Sequence, residues 1–229
     1  MAGITGPVSN TAAQFDSLFM LFTYLAIAVG VIVFGLMTIL IIKYREKPSS
    51  RDPEDTPILG KVPAQRGHAR SVVMTLSISS IMLAVLIVGS FAAVDNILTP
   101  PQNVCEGCSI LVTGHQFYWD FAYPFAYPNG TSHPYHNDTY LRVPVHENIR
   151  LNVSSADVFH DFGIIGYSIK TDAIPGRYNT LWFQADTVQN FTIQCFELCG
   201  PGHALMKATL YVMDQTAYFR WYNATVLHI

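Results

Sequence analysis

Charged side chains are scarce in this chain and absent from two long stretches. Asp, Glu, Lys and Arg make up 13% of its 229 residues, about half of the ~25% typical of soluble domains. Residues 17–42 and 71–94 contain none of them. As a helix, each stretch can cross a hydrocarbon core of about 30 Å. The first is apolar on every face, unlike a surface helix of a soluble protein. A chain of this size forms no globular core large enough to bury both, so we predict two transmembrane helices.

Basic residues are absent from the segment before Asp16. All seven Lys and Arg of the first hundred residues lie within residues 43–70. The positive-inside rule places this connector in the cytoplasm, and the N-terminal tail and everything after about Asp95 outside it. A cleavable signal peptide is not indicated, because the N-terminus lacks a basic region and the first apolar stretch is too long for a signal core. We expect a multi-pass protein of the plasma membrane with an extracytoplasmic C-terminal domain.

Cysteine is rare, and the four cysteines fall into two pairs. Cys105 and Cys108 are separated by two residues on the predicted outer side, where the redox environment permits a disulfide. Thiol exchange and a second metal site are less favoured alternatives for this pair. The other pair, Cys195 and Cys199, belongs to a metal-binding motif.

Signals for asparagine glycosylation are concentrated in the C-terminal part of the chain. Five Asn-x-Ser/Thr sequences occur there, beginning at Asn129, Asn137, Asn152, Asn190 and Asn223. Such signals are used only outside the cell. Their distribution agrees with the predicted topology and leads us to expect a glycoprotein.

The chain is expected to comprise two regions. Residues 1–98 form the N-terminal tail and a transmembrane hairpin, with helices over about 17–42 and 71–94 and the connector over 43–70. Residues 99–229 form an extracytoplasmic all-β domain, because short runs rich in β-branched and aromatic residues alternate with turn residues. A short helix is expected over 214–222. The predicted strands include residues 110–113, 141–145, 149–153, 181–185, 191–195 and 208–212.

Soft metal ligands are concentrated in the segment from Cys195 to Met206. Cys195, Cys199, His203 and Met206 lie within twelve residues, and this combination selects copper, zinc or iron. His160, at the end of a strand-like run, is the best candidate for a distant ligand. Both cysteines, both histidines and the methionine are used if two thiolates bridge two copper ions. Met206 and the backbone carbonyl of Glu197 then serve as weak axial ligands.

The residues alone leave two other kinds of metal site possible. A structural zinc accepts two Cys and two His but has no use for Met206. A mononuclear blue-copper site needs two His, one Cys and a weak Met, which leaves one cysteine unexplained. The binuclear copper site is favoured because it explains every unusual residue in the segment.

The motif Cys-x-Glu-x-Cys-Gly-x-x-His-x-x-Met resembles the CuA motif of cytochrome c oxidase subunit II. Three further features resemble this family: Asp157-Val-Phe-His160 followed by residues 170–177, the aromatic segment Gly114-His-Gln-Phe-Tyr-Trp119, and the transmembrane hairpin. The resemblance covers nearly the whole chain and implies a cupredoxin-like sandwich that holds a binuclear copper centre. Five outward-facing glycosylation signals fit an archaeal member better than a mitochondrial one. The implied copper ligands are His160, Cys195, Glu197 (through its carbonyl), Cys199, His203 and Met206.

The resemblance also implies a function in respiratory electron transport. A subunit of this family accepts electrons from an external donor, cytochrome c or a blue-copper protein, and passes them to haem in subunit I. There oxygen is reduced to water and protons are translocated, so the oxygen site is on a partner. The family's electron path implies roles for Phe117, where Trp is usual, for Tyr118 and Trp119, and for His203. The Glu197 side chain is expected to help bind magnesium at the subunit I interface.

Two alternative functions share the same copper chemistry. A CuA subunit of a nitric oxide reductase differs only in the terminal reaction on the partner. A membrane-anchored copper chaperone or sensor differs in releasing its metal readily. A quinol oxidase subunit is disfavoured, because that branch lacks the cysteine ligands. The expected partners are the other oxidase subunits, membrane lipid and an electron donor, with no nucleic acid.

Overall fold

The computed structural model describes residues 9–45, 68–105, 107–123, 135–137 and 140–227, without the side chains of 96, 97 and 135–137. Most of the predicted cytoplasmic connector, residues 46–67, lies outside the described residues. The chain divides into two compact units, residues 18–92 and residues 1–17 with 93–229.

Two long apolar helices, α1 (Asn10–Lys43) and α2 (Ala69–Leu98), account for the uncharged stretches. Large apolar side chains on both are exposed, such as Phe34 at 66% and Val88 at 69%. Both helices are long and apolar enough to cross a membrane. They extend beyond the uncharged stretches. At its N-terminus α1 is capped by the Ser9 hydroxyl, which accepts a hydrogen bond of 3.1 Å from the Ala12 N–H.

Within the described residues, ten strands form two five-stranded sheets, which confirms the predicted β-sandwich. The first sheet has the order β3-β2-β1-β5-β8 and the second has the order β4-β10-β9-β6-β7. The pairs β1–β5 and β4–β10 are parallel, and the other pairs are antiparallel. The strands are β1 (Ser109–His115), β2 (Tyr118–Tyr123), β3 (Tyr135–Asn137), β4 (Tyr140–Pro144), β5 (Asn148–Ser155), β6 (His160–Ile164), β7 (Ile169–Ala173), β8 (Asn179–Gln184), β9 (Asn190–Cys195) and β10 (Lys207–Met213).

The core lies between the inner faces of the two sheets. Buried residues alternate along β1, where Ile110 and Val112 are fully buried, because successive side chains of a strand point to opposite faces. Leu151 from the first sheet and Phe162 and Ile193 from the second are also buried, at 0% exposure. Alternation of this kind allows one face of each sheet to exclude water.

The N-terminal end of α1 is attached to the sandwich by polar contacts. Ser9 forms a β-bridge with Ala185. Asn10 Oδ1 accepts a hydrogen bond of 2.8 Å from the Gln184 N–H, and the Thr11 hydroxyl donates to the Tyr167 carbonyl at 3.2 Å. These contacts join the start of α1 and the β-sandwich in one compact unit.

The C-terminal helix packs on the beginning of the β-domain. Helix α3 (Gln215–Trp221) is followed by a π-helical turn over Tyr222–Leu227, so helical structure extends further than the predicted 214–222. The buried Tyr218 hydroxyl donates a hydrogen bond of 3.0 Å to the Gly107 carbonyl. Gly107 lies between Cys105 and Cys108, which form the disulfide permitted by their location.

Replacing Tyr218 with Phe is expected to destabilise the β-domain by about 1–3 kcal/mol, because the Gly107 carbonyl loses its buried donor. The free energy of unfolding of the purified protein in detergent measures the effect. Tyr178→Phe is the matched control, since Tyr178 is 66% exposed and its change is expected to stay within about 0.5 kcal/mol. Equal effects of the two substitutions would show that the Tyr218 contact does not stabilise the fold.

Candidate metal centre

The motif segment is a loop that connects two paired strands. Cys195 is the last residue of β9, and Met206 directly precedes β10. The Cys195 N–H donates to the Met206 carbonyl at 3.1 Å and closes the base of the loop. Within the loop, the His203 N–H donates to the Gly200 carbonyl at 3.0 Å. The sheet and these internal bonds fix the positions of both ends of the motif.

Strand pairing brings the distant ligand to the loop. β6 begins at His160, and it pairs with β9 so that Phe162 lies opposite Cys195. The Phe196 N–H extends this pairing by donating to the Asp161 carbonyl at 2.8 Å. His160 is fully buried, and its Nδ1 lies 3.8 Å from Cys195 Sγ. His160 therefore begins a strand, rather than ending one as the sequence indicated.

The two thiol sulfurs lie side by side at the centre of the site. Cys195 Sγ and Cys199 Sγ are 3.9 Å apart, and both residues are buried. Each sulfur has its own imidazole neighbour. His160 Nδ1 approaches Cys195, whereas the half-buried His203 places its Nδ1 3.7 Å from Cys199 Sγ.

Two weaker donors complete the arrangement. The Glu197 carbonyl oxygen accepts a hydrogen bond of 3.2 Å from the Cys195 thiol, while the Glu197 side chain is exposed. The fully buried Met206 places its Sδ 3.8 Å from Cys199 Sγ. The structure therefore brings all six ligand groups suggested by the sequence to one site.

The donor set suits a metal ion. The 3.9 Å between the sulfurs is less than about 4.6 Å, twice a typical metal–thiolate bond, so both sulfurs can bind the same ion. Burial, followed by the charge of the adjacent Cys195, raises the pKa of the Cys199 thiol to about 11. A metal that binds the Cys199 thiolate must therefore displace its proton.

A carboxylate orients the buried imidazole. His160 Nε2 lies 2.8 Å from Asp157 Oδ1, which assigns the proton to Nε2 and leaves Nδ1 free to bind metal. The backbone N–H groups of Gln116 and Val158 also donate to Asp157, at 2.7 and 2.6 Å. Partial burial opposes ionisation, but these three hydrogen bonds lower the pKa of Asp157 to about 2. Asp161, the other flanking carboxylate, instead accepts a hydrogen bond of 2.6 Å from Lys170.

The aromatic segment 114–119 packs against the loop. The Gln116 side-chain amide donates to the Cys199 carbonyl at 2.5 Å, a contact that the sequence did not reveal. A Cβ atom at Gly202 would collide with the Phe117 ring, so the ring and the loop backbone are in close contact. Gly200 has a φ of 134°, which only glycine adopts readily. The two glycines thus permit the approach of the loop to the segment.

The next two aromatic residues differ in exposure. Tyr118 is 46% exposed and stacks on His115 with ring centroids 4.6 Å apart. Trp119 is fully buried and meets the His160 ring edge-on, with centroids 5.9 Å apart. Together with Phe117, they extend from the surface of the domain to the buried imidazole.

Comparisons with known proteins point to one family of oxidase subunits. The family model "Cytochrome C oxidase subunit II, periplasmic domain" matches residues 126–213. The chain is 34% identical over 232 residues to heme-copper oxidase subunit 2 of Aeropyrum pernix, and the match covers 95% of this chain and 92% of that protein. It is 31% identical over 199 residues to cytochrome c oxidase subunit 2 of Alkalihalophilus pseudofirmus, where the match covers 84% of this chain and 53% of that protein. The chain thus spans about half the length of this second relative.

A solved structure is also similar to part of this chain. The periplasmic domain of subunit II of cytochrome oxidase of Bradyrhizobium japonicum is 33% identical, with a TM-score of 0.48. The match covers 54% of this chain and 96% of that one.

The fold and the site define a membrane protein whose extracytoplasmic β-sandwich carries a cluster of Cys, His and Met side chains that could hold a metal ion. The similarity to the Aeropyrum protein extends over nearly the full length of both chains. This chain belongs to the subunit 2 family of haem-copper oxidases. Family membership confirms the resemblance that the motifs indicated.

Replacing Asp157 with Asn is expected to lower metal affinity by about 10- to 100-fold, because the His160 ring loses its charged hydrogen-bond acceptor. Competition between the copper-loaded protein and a chelator measures the affinity. Asp186→Asn removes an exposed carboxylate and is the control, with unchanged affinity expected. An Asp157→Asn variant that holds copper as tightly as the control would contradict the orienting role.

Proposed function

We propose that this chain is the electron-accepting subunit of a terminal haem-copper oxidase. The observation that carries the proposal is the pair of buried thiol sulfurs 3.9 Å apart, each with its own imidazole within 3.8 Å. A single tetrahedral zinc site would leave Met206 unused. A mononuclear copper site would leave one sulfur unused.

The proposed cofactor is a binuclear copper centre of the CuA type. Bound at this site, two copper ions would take up and release one electron at a time, with the charge spread over both ions and both thiolates. Asp157 keeps the His160 ring in one orientation, and the hydrogen bond from Gln116 holds the Cys199 backbone in place. Such fixed ligands change little on oxidation or reduction. The proposed ligands are His160, Cys195, the Glu197 carbonyl, Cys199, His203 and Met206.

The aromatic segment provides a route between the surface and the site. Tyr118 is the most exposed of the three aromatic residues, at 46%, so an external donor can reach it. Phe117 contacts the glycine backbone of the metal loop, and Trp119 contacts His160. We assign electron transfer to these three aromatic residues on the donor side and to His203 on the side of the haem-bearing partner.

Glu197 is proposed to contribute to two metal sites through different atoms. Its carbonyl oxygen faces Cys195, while its side chain is exposed to the surroundings. An exposed carboxylate next to the copper loop is available to a hard cation such as magnesium, which prefers oxygen ligands. The remaining magnesium ligands would come from oxidase subunit I.

The proposed setting is a respiratory complex in the plasma membrane. Residues 1–98, with helices over about 17–42 and 71–94 and a cytoplasmic connector over 43–70, would anchor the chain, and residues 99–229 would form the extracytoplasmic copper domain. Subunit I would hold the haem and reduce oxygen to water with proton translocation. After residue 100 the chain has ten Asp and Glu against six Lys and Arg. This mild excess of negative charge favours a basic donor, either cytochrome c or a blue-copper protein.

Replacing Cys199 with Ser is expected to abolish the electron spin resonance signal of one unpaired electron shared over two copper ions, because one of the two bridging sulfurs is lost. The spectrum of the copper-loaded protein measures the change.

Cys105→Ser is the matched control, since it alters a cysteine separated from the metal loop by the length of β1. That strand has seven residues and spans about 23 Å. The control is expected to retain the shared-spin signal. Persistence of this signal in Cys199→Ser would rule out the bridging assignment, and its absence in the wild-type protein would rule out the proposed centre.

A further inference from the structure

The glycosylation signals differ in whether the folded domain presents them. A transferase must reach the asparagine amide and also the hydroxyl two residues later, which together form the signal. Both side chains are described for three of the five signals: Asn152 with Ser154, Asn190 with Thr192, and Asn223 with Thr225. The signals at Asn129 and Asn137 include residues outside the described part of the chain.

The side chains of the Asn152 signal are engaged in hydrogen bonds within the fold. Asn152 lies on β5, which is paired with β1 on one side and with β8 on the other. Its Oδ1 accepts a hydrogen bond of 3.2 Å from the Thr180 hydroxyl. Ser154 is buried, and its hydroxyl donates to the Ile174 carbonyl at 3.3 Å. The hydroxyl of this signal is therefore inaccessible once the domain has folded.

The signal at Asn223 has unsuitable backbone geometry. Asn223 is exposed, but it lies with Thr225 in the π-helical turn over Tyr222–Leu227. Side chains two residues apart on a helix do not face each other. The amide and the hydroxyl of this signal therefore point in different directions.

The signal at Asn190 meets both requirements. Asn190 begins β9, and Asn190 and Thr192 are both exposed. Residues two apart on a strand lie on the same face, so the amide and the hydroxyl are presented together. The preceding residues 186–189 are exposed as well. The ladder between β6 and β9 extends from Cys195 only to Ile193, so it does not cover the backbone of Asn190 on that side.

We propose that Asn190 carries an N-linked glycan. A polyprenyl-phosphate-linked oligosaccharide, the usual class of donor for this reaction, would supply the sugar. The bond between Asn190 Nδ2 and the sugar C1 forms, the bond between C1 and the donor's phosphate oxygen breaks, and the amide loses one proton as the lipid phosphate leaves. The proposal requires the extracytoplasmic location of the domain and is independent of the identity of the bound metal.

A glycan at Asn190 is compatible with the metal site. Asn190 and Cys195 are at opposite ends of β9, about 17 Å apart along the strand. The sugar would therefore extend from the end of the sandwich that is remote from the copper loop. A bulky, hydrated group at this end shields exposed Val188 without covering the ligands.

Peptide mass spectrometry of the chain, expressed in its native host and purified from membranes, tests the proposal. We expect the peptide that contains Asn190 to carry the added mass of a glycan and the peptide that contains Asn152 to be unmodified. Asn190→Gln and Thr192→Ala are both expected to remove the mass, whereas Thr192→Ser keeps the hydroxyl and is expected to retain it. Asn152→Gln is the matched control and leaves the modification unchanged.

Metal content, measured in parallel, shows whether each variant is folded. A glycan on Asn190 supports the proposal, whether or not another asparagine is also modified. An unmodified Asn190 in the native protein, or a glycan confined to Asn223 or Asn152, overturns it. If the Asn190 peptide kept its glycan in Thr192→Ala, the modification would not depend on the Asn190-x-Thr192 signal, and this would overturn the proposal.

Discussion

Two sulfur atoms held side by side in a buried loop are the constraint on which the site depends. Cys195 and Cys199 lie 3.9 Å apart with little exposure to water. Burial, and after it the charge of the neighbouring Cys195, raises the pKa of the Cys199 thiol, so a pair of thiolates here is unfavourable without a cation. Cations that bind both sulfurs neutralise their charge and compensate the lost hydration. The chemistry of the loop therefore matches soft metal ions, and His160, His203 and Met206 surround the same pair of sulfurs.

The sandwich gives this loop its fixed shape. Both ends of the loop continue into paired strands, and β6 supplies His160 from a third strand. The segment after β1 adds a second layer of support, in which Gln116 binds the Cys199 carbonyl and Phe117 packs against Gly202. A site that transfers electrons benefits from such rigidity, because ligands that do not move impose little reorganisation on each transfer.

The sequence predicts the parts that depend on local patterns. Six strands follow from runs of β-branched and aromatic residues, and each run overlaps an observed strand. Strands β2, β3, β6 and β7 are not among the predicted runs. In β6 and β7 the reason is that His-Asp-Phe-Gly-Ile and Ile-Lys-Thr-Asp-Ala contain too many polar residues to be recognised as strands. The ligands of the loop are predicted because they lie close together in the chain. The contact of Gln116 with the loop is not predicted, because it depends on the packing of segments distant in sequence. The sequence places Asp157 and Asp161 on either side of His160 as candidates to orient its ring but does not distinguish them, and the fold selects Asp157.

Metal analysis of the purified protein tests the central claim most directly. If Cys195 and Cys199 hold the proposed binuclear copper centre, the protein would contain two copper ions per chain and no zinc, whatever the donor or the terminal reaction. We expect elemental analysis of the intact complex to give this ratio, after correction for copper bound by partner subunits. One copper per chain, or one zinc, would contradict the account, although the membrane helices and the β-sandwich would remain.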